Sequence, residues 1–146
     1  MYIHQITVFL ENMKGTLSKL TTLLADNRID ILAMSIADTS GFGLVRFIVR
    51  EKDNDQCLAL LKENGYSARK NHVICARVPN EPGGLNKILC LLDEAGISIE
   101  YLYSFNYSEG NNALIIFRLS DRETGLKIFS ENGISVFSQT EINSIQ

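Results

Sequence analysis

Residues 15–31 read GTLSKLTTLLADNRIDI, and residues 83–99 read GGLNKILCLLDEAGISI. Gly15, Leu17, Lys19, the Leu23-Leu24 pair, Ile29 and Ile31 return as Gly83, Leu85, Lys87, Leu91-Leu92, Ile97 and Ile99, each 68 positions on. Further along, LKENGY at 61–66 is answered by FSENGI at 129–134 with the same displacement. LVRFIV at 44–49 answers LIIFRL at 114–119, slipped by two, so a loop-length difference is cancelled before the next helix. Self-similarity at one displacement marks a duplicated structural unit. The expected domains are 1–71 and 72–146, joined through Arg69–His72 without a Pro, Gly or Ser linker.

Each copy has the same punctuation. Ile6, Val8 and Leu10 alternate with Gln5, Thr7 and Phe9, the mark of a half-buried strand. Leu17, Leu20, Leu23 and Leu24 form a helical stripe that ends near Asn27. Residues 29–37 and 44–50 read as strands around the turn Asp38-Thr39-Ser40-Gly41. Asp55 is expected to open a second helix, with Leu58 and Leu61 inward and Asn64-Gly65 as its stop. Residues 66–72 close the first copy. The second copy reads as strand 73–78, a helix with Leu85, Ile88, Leu89 and Leu92 inward, strands 97–107 and 112–119, a helix around 126–129 and a last strand at 135–142. The expected fold is α+β: two ferredoxin-like βαββαβ units packed side by side, each an antiparallel sheet with helices on one face. A unit of about 70 residues has a thin core. The copies are therefore expected to pack on each other, with a pocket at their seam.

The 146 residues are 45% hydrophobic, with 14 basic and 17 acidic side chains and a net charge of −3. That balance leaves no electrostatic footprint for nucleic acid or a membrane surface. The first fifteen residues lack the basic start and cleavage site of a signal peptide, and no apolar run reaches the ~20 residues of a membrane helix. Cys57, Cys75 and Cys90 are too few for a disulfide framework and read as thiols of a reducing, cytoplasmic compartment, Cys75 and Cys90 as core residues. Two His and no CxxC argue against zinc. Neither GxxxxGK[ST] nor GxGxxG is present, so no cofactor is expected, and no catalytic set can be assembled.

The loops before the first helices are Glu11-Asn12-Met13-Lys14-Gly15-Thr16 and Pro79-Asn80-Glu81-Pro82-Gly83-Gly84. Glycine there permits unusual φ and close approach, and the helix start favours a small anion such as a carboxylate. Asn12 and Asn80 can orient that group. Asp30, with Ser98 as its equivalent, offers a carboxylate for an ammonium group. Tyr101, Tyr103, Phe105 and Tyr107 share one strand face, against small Ala33, Ser35 and Ala37 in the first copy.

Asn80-Glu81-Pro82-Gly83-Gly84-Leu85, with Ala95-Gly96-Ile97-Ser98-Ile99, resembles the N-x-P-G-x-L…G-(I/V)-N-I signature of ACT domains. Asn12-Met13-Lys14-Gly15-Thr16-Leu17 with Ile29-Asp30-Ile31 is similar, though Lys14 replaces the usual Pro, and Asp30 and Ser98 replace the common Asn. The resemblance covers nearly the whole chain and implies a non-catalytic, tandem amino-acid sensor that passes its state to a partner enzyme or regulator, and the expected sheet edges and the Tyr stripe point to a homodimer. It implies one site joining Asn80, Glu81, Pro82, Gly83, Gly84 and Leu85 to Asp30, Ile31 and Leu32. A second joins Asn12, Met13, Gly15, Thr16 and Leu17 to Ser98, Ile99 and Glu100. Two alternatives stay open. One is an oligomerisation module without ligand. The other is an RNA-binding βαββαβ domain, because Val8–Met13 and Ser40–Phe47 resemble its two strand motifs. Ser40 stands where that motif is basic and Leu44 where a base-stacking aromatic belongs.

Overall fold

The computed structural model describes residues 1–11, 13–39 and 42–144. Asn12, and Ser40 and Gly41 of the expected turn, lie outside them. The chain divides into two compact units, residues 4–71 and residues 72–146 together with Met1–Ile3.

In the first unit, β1 (Ile3–Glu11) leads to α1 (Thr16–Asp26), β2 (Ala33–Thr39) and β3 (Phe42–Ile48). A short 3₁₀ turn, Glu51–Asp53, runs into α2 (Asn54–Glu63), and Ser67 opens β4 (Ser67–Pro79). β3 pairs antiparallel with β1, Val45 opposite Val8, and with β2, Val45 opposite Ile36. Ile6, Val8 and Leu10 of β1 and Val45 and Phe47 of β3 face Leu20 and Leu24 of α1 and Cys57 and Leu61 of α2. This is the period-2 face meeting the period-3.6 stripe that the alternation predicts.

Three local details differ from the sequence-based expectation. β2 starts at Ala33 rather than Ile29, because the Ile29 N–H closes the end of α1 on the Leu24 carbonyl at 2.9 Å. Asp55 is not the cap of α2. It sits in the first turn and pairs with Lys70, while Cys57 and Leu61, one helical turn apart, point inward in place of Leu58. The polar face of β1 is covered too: Gln5 is fully buried, its amide donating to Thr7 Oγ1 and Asn71 Oδ1, each at 3.3 Å. Mutual pairing lets these polar groups leave water.

In the second unit, β4 is followed by α3 (Gly84–Glu94), β5 (Ile99–Glu109), β6 (Asn112–Leu119), α4 (Arg122–Glu131) and α5 (Gln139–Asn143). β6 pairs antiparallel with β4 and β5. Ile74, Ala76, Val78, Phe117 and Leu119 pack under Ile88, Leu92 and Phe129, with Phe117 and Phe129 edge to face at 5.7 Å. On the other sheet face Tyr103 and Phe105 are buried, and Phe105 meets Phe137. Tyr107, beyond a register break after Ser104, is exposed. Cys90 is exposed on α3, not a core residue, whereas Cys57 and Cys75 are buried. Burial pushes the Cys57 thiol up to about 12 and also raises Cys75.

The expected last strand at 135–142 shrinks to a single bridge, Val136 opposite Ala76, and then turns into α5. Ser138 and Glu141 form a reciprocal capping box, which starts a helix inside what looked like a strand. The first unit thus has the full ferredoxin-like βαββαβ order, and the second is βαββαβ-like, with its last strand reduced to that bridge. Helices α1 and α3 also end alike: Arg28 at φ 57° stands where Gly96 holds φ 73°. A side chain in the left-handed region costs about 1–2 kcal/mol, partly offset in glycine by lost chain entropy. Arg28→Gly is therefore expected to stabilise the protein by about 0.5–1 kcal/mol, read as a higher urea midpoint with unchanged m-value.

Candidate functional site

The loops between first strand and first helix are built to one pattern. Met13 N–H donates to the Glu11 carbonyl at 2.8 Å, as Glu81 N–H does to Pro79 at 2.9 Å. Thr16 N–H reaches Met13 at 3.3 Å, as Gly84 reaches Glu81 at 3.0 Å. Gly15 and Gly83 precede their helices at φ 87° and 84°, a conformation that suits glycine. The next position differs. A Cβ on Gly84 would lie 2.0 Å from the Pro79 carbonyl oxygen, so only glycine fits. In the first copy Thr16 occupies that position, and its hydroxyl donates to the corresponding Glu11 carbonyl at 3.0 Å.

Beside each loop lies a cleft, and the two share part of their lining at equivalent positions. In the second unit it measures about 580 Å³ and runs from Glu81–Gly84 along Lys87, Ile88 and Leu91 to the turn Asn132–Ser135, with Arg77 and Pro79 also lining it. In the first unit it measures about 360 Å³, and Phe9, Glu11, Thr16, Lys19 and Asn64–Ser67 take the matching places. Asn64 and Asn132 hold the far wall alike: each side-chain amide donates to the carbonyl four residues back, Leu60 or Ile128, at 2.8 Å. The second cleft combines opposite charges, Lys87 and Glu81, with the apolar walls of Pro82, Ile88, Leu91 and Ile134.

Arg77 has no counterpart in the first copy, where Phe9 stands 40% exposed. Its guanidinium donates to Glu109 through Nε at 2.6 Å and Nη2 at 3.2 Å, and to Glu141 at 2.6 Å. It also reaches Ser135 Oγ at 2.9 Å and the Val136 carbonyl at 3.3 Å, and lies 4.9 Å from the Phe137 ring centre. The Arg77 hydrogen bond holds the Glu109 carboxyl below the usual range, and the Thr124 hydroxyl and N–H do the same for Asp121, the N-cap of α4.

The sequence-derived residues divide into groups. Glu81, Pro82, Gly83 and Gly84 line the larger cleft. Asn80 is exposed, its N–H held by the Asn111 carbonyl at 2.8 Å, and Leu85 packs against the core. Met13, Gly15, Thr16 and Leu17 line a pocket of about 270 Å³ with Ile36 and Val45. Asn12 is outside the described residues. Asp30 is exposed and already carries an ion pair with Arg50 at 3.0 Å; a half-buried Ile31 and a buried Leu32 follow it. Ser98 and Ile99 lie with Cys90 and Gly96 in a separate cleft of about 510 Å³, away from the glycine loop of their own unit. Arg77, Lys87 and the 132–135 wall were missed as site residues, although the repeated Glu-Asn-Gly at 63–65 and 131–133 marked the wall. Among the described residues, no group of three His, Cys, Asp or Glu side chains is placed to hold a metal ion. None of their helices is long and apolar enough to cross a membrane.

The profile of the family described as an ACT domain pair matches residues 1–145. The chain belongs to this family. It is similar over 99% of its length to protein BT0572 from Bacteroides thetaiotaomicron, with 31% identity, 98% of that chain covered and a TM-score of 0.89. The regulatory subunit of aspartate kinase from Thermus thermophilus, in its ligand-free form, has the same fold at 16% identity and TM-score 0.62, with 88% of this chain and 91% of that one covered. The regulatory subunit from Thermus flavus matches at 15% identity and TM-score 0.63, over 90% and 93% of the two chains. Among curated proteins no match was found.

Two outcomes follow from this ACT geometry. Gly84→Ala is expected to lower the thermal midpoint more than Gly125→Ala. The added methyl meets a backbone carbonyl in the first case and the movable Leu119 side chain in the second. Thermal melts of both variants check the order. Glu109 and Asp121 have lowered native pKa values, so their stabilisation is present above about pH 4 and lost as pH falls through the native values. Urea midpoints between pH 6 and pH 3 are expected to fall, and Glu109→Gln is expected to flatten that slope.

Proposed function

We propose that this ACT pair is a non-catalytic sensor of a small amino acid, and that the glycine loop Asn80–Leu85 holds the ligand. The observation that carries this reading is the larger cleft: a helix start and Lys87 for a carboxylate, Glu81 for an ammonium group, and aliphatic walls between them. Membership of the ACT domain pair family supports it, and so does the shared fold with two regulatory subunits of aspartate kinase. The apolar lining favours an aliphatic side chain on the ligand.

In this proposal Asp30, Ile31 and Leu32 complete the site from a second ACT unit, of this chain or of another copy, and the ligand ammonium shares Asp30 with Arg50. The smaller site pairs Met13, Gly15, Thr16 and Leu17, with Asn12, to Ser98 and Ile99. Occupancy favours one arrangement of ACT units by differential affinity, which a homodimer transmits to a partner enzyme or regulator. Three free thiols fit a reducing, cytoplasmic setting.

A thermal-shift screen of the common L-amino acids is the test. A binder at a hundredfold excess over its Kd stabilises by about 2.7 kcal/mol, so a small aliphatic subset is expected to raise the melting temperature. Lys87→Met is expected to weaken that binding roughly tenfold, the size of one charge-assisted hydrogen bond, while leaving the ligand-free melt unchanged. A flat screen at millimolar ligand would favour an oligomerisation module instead.

A further inference from the structure

We propose that Arg77 is the positioning residue of the larger cleft, fastening residues 135–144 as a separable wall, so that filling the cleft and ordering this C-terminal segment form one equilibrium. The second half of this statement rests on the reading above that the cleft takes a ligand. The first half rests on the Arg77 network alone.

A guanidinium has five N–H donors. Those of Arg77 are met by two contacts to Glu109, one to Glu141, one to Ser135 Oγ and one to the Val136 carbonyl. None remains for a ligand, although Arg77 lines the cleft. Its influence on a ligand therefore passes through what it holds. It holds Ser135, which lines the same cleft, and Glu141, whose carboxylate also accepts the Ser138 N–H of the capping box that starts α5. One side chain thus joins the cleft wall to the helix beyond it.

The backbone alone grips this segment sparsely. Arg77 N–H donates to the Ser135 carbonyl at 2.8 Å and Phe137 N–H to the Cys75 carbonyl at 2.7 Å, around the single bridge at Val136. The Arg77 side chain is only 16% exposed, but Glu109 and Glu141 are 42% and 41% exposed. Water therefore reaches the carboxylates, so the ionic fastening can open while the buried Phe137 and Ile142 keep their hold on the segment. In the first copy the matching wall, Asn64–Ser67, runs on into the long strand β4, and Phe9 offers no ionic tie. The ionic fastening thus belongs to the second copy.

Hydrogen exchange of the full chain without ligand tests the fastening, using Glu141→Gln and Arg77→Lys. Gln keeps the capping box but removes the charge facing Arg77. Amides of 135–144 and of the cleft loop Glu81–Lys87 are expected to exchange at least about tenfold faster in both variants, with those of 4–71 unchanged. Acceleration confined to α5, or none, would overturn the proposal. Alanine, valine, leucine and isoleucine at millimolar concentration then test the coupling. Whichever binds is expected to slow exchange of 135–144 in the native protein and to bind Glu141→Gln several-fold more weakly. Binding without that protection also counts against the proposal. If none of the four binds, the aliphatic-ligand reading fails, and the ligand-free comparison still decides whether Arg77 ties the wall to the loop.

Discussion

Each half of this chain depends on one demand: a small antiparallel sheet with an apolar face must be covered by its two helices. Ile6, Val8 and Phe47 require Leu20, Leu24 and Leu61, as Ile74, Val78 and Phe117 require Ile88, Leu92 and Phe129. Burial of such side chains is worth about 1.5–3 kcal/mol each, enough to set the order of elements against the cost of ordering the chain. To bring the first helix back over its own strand, the chain turns within about four residues. That sharp return calls for glycine at positive φ at 15 and 83 and draws the helix start close to the strand end. The cleft is a by-product of this geometry, which explains why it occurs twice.

Duplication preserved the scaffold and released the lining. Loop hydrogen bonds agree between copies to within a few tenths of an ångström, because they close the same turn. Position 77 carries Arg where position 9 carries Phe, and Gly84 faces a carbonyl where Thr16 bonds one. Both clefts are lined by a Lys and a Glu, and the second adds a guanidinium where the first has an exposed ring. Asymmetry between repeats is thus a matter of a few side chains on a common frame.

Much of the fold was legible because local rules and tertiary demand agreed. Leucine spacing placed α1 and α3, alternation placed β1, and the repeated glycines placed the turns. Where they competed, the reading slipped. Ser135–Ile142 is rich in strand formers, yet Ser138 and Glu141 supply both halves of a capping box and start a helix. Gln5 looked like a solvent residue, but hydrogen bonding to Thr7 and Asn71 lets it be buried. Cys90 follows the core leucines in sequence and still falls on the outer face of α3, because one residue is 100° of rotation.

The amino-acid sequence by itself determined the duplication, the βαββαβ-like plan short of its last strand in the second copy, the glycine turns and the family, since all of these rest on contacts or conformations within a few residues or on a repeat. Tertiary structure decided which side chains face the clefts: Arg77 bound to Glu109 and Glu141, Lys87 opposite the 132–135 turn, Asp30 committed to Arg50. Those partners lie 20 to 64 residues apart along the chain. No local propensity encodes such a pairing; it exists only once burial of the sheet has brought the strands and helix ends together.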